Sequence, residues 1–178
     1  DAVIVRANSR SLAENRVCER VRVTNCRLRS HCSCIRISYL NDGIVRDCAF
    51  SNLTMDDSYL GIRVELPKYL VKPDRGCERS LVENLTFSDI VMRNVRVPVT
   101  CTISSTSDTL CDAVRNVRFC RVTASDGERA IFSGRAINPL ENFVFEDCRF
   151  ELAQKPEFRH CTGFAIPTDT FVVKLASP

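Results

Sequence analysis

No stretch of this chain comes near the 18 or so consecutive apolar residues that a membrane-crossing helix needs, so no such span is expected. Charge of one sign is also scarce. With 25 basic against 22 acidic residues the net charge is only +3, too little to make nucleic acid the main partner. Histidine occurs only twice, and no cluster of carboxylates offers a calcium site. Paired cysteine spacing is missing too. Eleven cysteines, an odd number, argue against a disulfide scaffold and for reduced thiols. That usage leans towards a reducing, cytoplasmic setting and leaves an extracellular one open. There is no signal peptide, but the chain opens in strand-like sequence, DAVIVRAN, and reads as a piece of something longer. No cofactor is implied.

What is present is a repeat. In VRVTNCRL (Val21 to Leu28), alternate residues fall on opposite faces of a strand, and a polar corner at Asn25 re-aims the chain. GIVRDCAF, ENLTFSDIVM, RNVRFCRVTA and ENFVFEDCRF overlay this unit with corners at Asp47, Asp89, Arg121 and Asp147. Two before the corner stand Val23, Val45, Phe87, Phe119 and Phe145. One after stand Cys26, Cys48, Ile90, Val122 and Cys148; three after, Leu28, Phe50, Met92, Ala124 and Phe150. Corner intervals of 22, 42, 32 and 26 residues lie in the solenoid range, the long one explained by an insertion around Pro67 to Ser80.

A unit of this size cannot bury its apolar face alone, so neighbours must stack around one interior. Short strands with Asn or Asp corners predict an all-β fold, a parallel β-helix of about six rungs with inserted loops. Leucine-rich repeats, the main rival, need denser leucine and a helix per repeat. The whole chain, 1–178, reads as one β-helix segment. Loops are expected over Asn8 to Asn15, SNLTMDDSYL (Ser51 to Leu60), Pro67 to Arg79 and Ser104 to Cys111. Residues 153–178, with an irregular stretch from Pro156 to Pro167 and a last strand at Phe171 to Leu175, read as a C-terminal cap over an open sheet edge.

Arg20, Arg22, Arg27 and Arg29, with Arg118 and Arg121, fall on the outward phase, as a solvated face does or a surface for an acidic polysaccharide. His31 with Cys32 and Cys34 forms a C-x-C cluster that lacks the second ligand pair of a zinc site, and no metal is expected. Asp56 and Asp57 look like paired catalytic aspartates, but four residues rather than one separate them from the next strand, so they are read as a polar corner. The sequons at Asn52 and Asn84 sit inside repeat units and are read as chance.

Taken in order, these landmarks resemble the later part of the polygalacturonase-like glycoside hydrolases, family 28. The resemblance rests on LVENLTFSDIVMRNVRVPV (Leu81 to Val99), similar to that family's Val-x-Asn-Ile-x-Phe-x-Asn-Ile-x-Met rung, and on what precedes it. It implies a right-handed parallel β-helix and inverting hydrolysis of uronic-acid or rhamnose-containing, pectin-type glycans by two carboxyl groups roughly 6.5 to 9.5 Å apart. Asp1 matches the second of the family's paired aspartates. His31, in SHCSCIRIS, matches the Gly-His-Gly histidine without its glycines; both residues are catalytic by that resemblance. Arg63 in GIRVEL matches the Arg of Arg-Ile-Lys, with Glu65 in the lysine's place, making these two the substrate-binding pair. The implied partner is an acidic polysaccharide or oligosaccharide, with no nucleic acid and no membrane. The family's other carboxylates would precede Asp1, so turnover by this segment alone is not expected. A non-catalytic carbohydrate-binding or structural β-helix, tailspike- or adhesin-like, is the alternative. A polysaccharide lyase would call for the calcium carboxylates that are missing.

Overall fold

The computed structural model describes residues 1–7, 17–38, 43–66, 80–103 and 113–174. Every regular element among them is a strand. They run β1 (Val3–Val5), β2 (Cys18–Glu19), β3 (Arg22–Leu28), β4 (Ser33–Ile37), β5 (Ile44–Leu66), β6 (Leu81–Ile103), β7 (Ala113–Gly127), β8 (Ile131–Ser133), β9 (Leu140–Glu146), β10 (Arg149–Leu152), β11 (Glu157–Arg159), β12 (Cys161–Thr162) and β13 (Phe171–Val173). All pairings are parallel, and each coil lies directly on the next, the arrangement of a parallel β-helix.

β5 and β6 each make one complete coil. Their 23 residues do not run straight, because a left-handed residue bends the strand three times, at Asp47, Asn52 and Asp57 in β5 and at Asn84, Asp89 and Asn94 in β6. The result is four walls: in β5, residues 44–46, 48–51, 53–56 and 58–66. Asn and Asp populate this backbone region at the least cost among residues with a side chain. Here their amides also bond along the stack. Asn52 Nδ2 donates to Asn25 Oδ1 at 2.6 Å, and Asn94 to Asp57 at 2.9 Å. A longer ladder runs from Asn142 through Asn116 and Asn84 to Asp47, with steps of 3.1, 3.0 and 2.9 Å. Gly163 ends it, since a Cβ there would lie 2.4 Å from Asn142 Oδ1. Both sequon asparagines, Asn52 and Asn84, are therefore ladder members.

The interior is filled by columns. On the second wall Val23 is followed by Phe50, Phe87, Phe119 and Phe145, their rings stacked at 5.0, 5.2 and 4.9 Å. That spacing is the distance between neighbouring strands, about 4.8 Å, so one aromatic per coil stacks without strain. The third wall contributes Leu28, Met55, Met92, Ala124, Phe150 and Phe171. At the far end Phe132, Phe158, Phe164 and Phe171 pack edge to face or stacked around one another.

This register corrects the sequence alignment at one unit. The corner matching Asn25 in β5 is Asn52, and Asp47 belongs one corner earlier with Asn84, Asn116 and Asn142. Successive coils are therefore offset by 27, 37, 32 and 26 residues, and Phe50 joins the phenylalanine column while Met55 takes the place expected for it. Cys26 and Cys148 share a column; Cys48 lies on a different wall, beside Leu85. The loop expected over Ser51 to Leu60 is continuous strand, because its two turns are corners. The other three expected loops lie outside the described residues.

Most outward arginines are paired rather than merely solvated. Arg27 bonds Asp56 at 2.7 Å, Arg121 bonds Asp89 at 2.6 and 2.9 Å, Arg115 bonds Glu83 at 2.8 Å, and Arg118 reaches Glu146, each across adjacent coils. Exposed pairs of this kind add little individually, but here they repeat the stacking register on the outer surface.

Candidate functional site

The sequence-predicted residues meet around the start of the fourth wall. β4 is clamped between β1 and β5, with Val3 beside Ile35 and Ile35 beside Ile62. Ala2 N donates to Ser33 O at 2.8 Å, which sets the exposed Asp1 at the rim of β4. His31 occupies the bend just before β4, exposed, with no hydrogen-bond partner among the described residues. Arg63 and Arg36 are register partners on neighbouring coils.

Two guanidiniums side by side repel one another, more strongly as water is excluded. Arg36 and Arg63 have side chains only 6% and 16% exposed. Glu65, two residues beyond Arg63 and so on the same face of its strand, supplies the compensating charge: it pairs with Arg63 and stands 3.5 Å from Arg36. The structure therefore brings Arg63 and Glu65 together, but as partners of each other. On its other side Arg63 Nη1 lies 3.8 Å from Cys32 Sγ. Burial by itself would raise the Cys32 thiol; the Ser33 hydroxyl and the Arg63 and Arg36 guanidiniums act the other way, and the thiol is held below its ordinary value. Cys34 differs: burial pushes its thiol up, although it bonds Ser58 Oγ at 3.2 Å. Among the described residues no group of three or more His, Cys, Asp and Glu is placed to hold a metal ion.

His31 also borders a second feature, around the third corner. A cleft of about 380 Å³ is lined by His31, Asp57, Ser58, Tyr59, Asn94 and Arg96. Asp57 is the corner residue itself, with φ 44°, held by Asn94 and 3.4 Å from Arg29. Its neighbour Asp56 faces away, buried between Arg27 and Arg93, so the two aspartates do not act as a pair. Tyr59 is 46% exposed, and the Arg96 guanidinium sits 5.4 Å from its ring centroid.

No family model, curated protein or solved structure matches the chain. The site is therefore read from its own geometry: a rim of Asp1, His31 and Cys32, a compensated Arg36–Glu65–Arg63 cluster beside it, and an open polar cleft with an exposed aromatic on the other side of His31. Sequence reasoning missed Arg36, Tyr59, Asn94 and Arg96. Arg36 emerges only from the stacking of β4 on β5. Ser51 to Leu60 laid over Ser88 to Val97 would have placed Tyr59 beside Arg96 and Asp57 opposite Asn94.

Proposed function

We propose that this chain is the glycan-binding portion of a polygalacturonase-like β-helical glycoside hydrolase, engaging a uronic-acid or rhamnose-containing polysaccharide along the outer side of its fourth wall. The observation that carries this reading is that Asp1, His31 and Arg63, far apart in sequence, come together: Asp1 at the rim of β4, His31 just before β4, and Arg63 against the adjoining Cys32. A planar guanidinium suits a sugar carboxylate. Inverting hydrolysis needs a second carboxyl group across the bond from Asp1. Glu65 is already committed to two arginines and is not free to be that group, and this segment is expected to bind without turning over.

That same commitment favours a second reading, a non-catalytic carbohydrate-binding or structural β-helix. Affinity electrophoresis in gels containing polygalacturonate or rhamnogalacturonan, paired with a reducing-end assay, tests both. Retardation without release of reducing ends is expected. Absence of retardation in either gel rejects glycan binding, and release of reducing ends by this segment rejects the proposed division of the catalytic groups.

A further inference from the structure

The geometry points to a pyranose-stacking subsite at the third corner, with Tyr59 as its platform and His31, Asp57 and Asn94 as partners for sugar hydroxyls. This rests on the glycan reading and deepens it, because it moves recognition away from the landmark arginine. A ligand carboxylate approaching Arg63 must displace Glu65. On the far side of His31, the cleft offers groups with capacity to spare.

Three features fit a sugar ring. First, Tyr59 is one of seven large apolar side chains left open among the described residues, at 46%, in a fold that buries every phenylalanine of its main column. Its backbone is tied by a 3.4 Å bond from its N–H to Ser30 O, and Arg96, itself bonded to Glu128, covers the ring from one side. An aromatic held this way has little rotational freedom left to lose when a ligand stacks on it. Second, the groups around the ring are of the kinds that bind hydroxyls. Asp57 presents carboxylate oxygens, Asn94 an amide carbonyl left over once its Nδ2 bonds Asp57 at 2.9 Å, and His31 two ring nitrogens with no partner among the described residues. A pyranose combines an apolar C–H face with a rim of hydroxyls, and this cleft combines a ring with a polar rim. Third, the volume, about 380 Å³, lies at the small end of ligand sites. His31 borders both this cleft and the Asp1 rim, so a bound oligosaccharide would pass from one to the other around the corner.

Titration calorimetry with hexagalacturonate and with a rhamnogalacturonan oligosaccharide tests this on wild type, Tyr59→Ala, Tyr59→Phe and Arg63→Gln. Tyr59→Ala should weaken binding about tenfold or more, the scale of one lost stacking contact, while Tyr59→Phe keeps the affinity and both retain the wild-type melting temperature. The chain has no tryptophan and three tyrosines, so quenching of tyrosine fluorescence by the same ligands, lost in Tyr59→Phe or shifted by it, reports on the ring directly. Backbone amide resonances of Tyr59 and Asn94 should be among those that move most in a titration of the unmutated protein, a readout that survives even where Tyr59→Ala fails to fold. Unchanged affinity in Tyr59→Ala, or ligand-induced shifts that spare Tyr59 and Asn94, overturns the subsite while leaving glycan binding intact. A wild type that binds neither oligosaccharide overturns both.

Discussion

Removing an inner ring of the four-membered phenylalanine column tests whether stacked coils, rather than individual strands, hold this protein together. Phe87 is fully buried, with Phe50 at 5.0 Å and Phe119 at 5.2 Å, nearly parallel at 13° and 14°. Truncating a buried phenylalanine to alanine costs about 3–5 kcal/mol through lost transfer energy and the cavity left behind. Each stacked pair adds about 0.5–1.5 kcal/mol beyond burial. Phe87→Ala loses two such pairs, which places it at the top of that range, a large part of the ~5–15 kcal/mol by which domains are stable. Phe50 stacks on one ring only, because Val23 lies on its other side, so Phe50→Ala should cost less by about one pair. Phe87→Leu keeps most of the volume and should cost about 1–3 kcal/mol. Urea denaturation midpoints, compared at constant m-value, give the three numbers. Equal losses for Phe87→Ala and Phe50→Ala, or a Phe87→Leu loss as large as that of Phe87→Ala, would refute the column as the organising contact.

Asn84 combines a left-handed φ of 55° with ladder bonds to Asp47 and Asn116; Asn84→Ala should cost about 2–3 kcal/mol and Asn84→Gly distinctly less, since glycine restores the backbone freedom but not the bonds. The Arg121 hydrogen bond holds the Asp89 carboxyl below its ordinary range. The folded state therefore takes up that proton later than the unfolded chain, so the pair stabilises above the ordinary carboxylate range and stops doing so as pH falls through the lowered value. Asp89→Asn should melt below wild type at pH 7 and converge with it in acid, and salt should narrow the neutral-pH gap because the pair is exposed. Burial pushes the Cys101 thiol far up, and that of Cys34 up as well, whereas Cys32 is held low; peptide mapping after brief maleimide treatment at pH 7 should find Cys32 labelled well before Cys34, and Cys101 unlabelled until denaturant is added.

The periodic apolar columns and the Asn or Asp corners made the fold readable, and Asn25, Asp89, Arg121 and Asp147 do share a column. Asp47 went astray for a physical reason. Corners fall at Asp47, Asn52 and Asp57, so a shift by one corner preserves the in-and-out alternation and nearly the same residue classes. Only side-chain volume separates the two alignments, a phenylalanine against a valine two residues before the corner. The site was half legible. Arg63 and Glu65 lie two apart on one strand, where their pairing follows from strand geometry alone. Tyr59 and Arg96 are 37 residues apart, brought together by a coil offset that reads off the sequence only once every corner is in phase.

The length of chain between the fourth wall of one coil and the first wall of the next varies, as the spans from Ile37 to Ile44, Leu66 to Leu81, Ile103 to Ala113 and Ser133 to Leu140 show. Offsets that range from 26 to 37 residues therefore leave the first two corners in phase; past the third the register slips by one residue, from Arg93 beside Ser125 to Thr100 beside Ile131, and again between Phe150 and Leu152. The molecule has a seam. Chain can be added, trimmed or grafted along that vertical line without turning a single side chain from core to solvent, whereas deleting Leu85 or Thr86 would swing Phe87 outward and break its column.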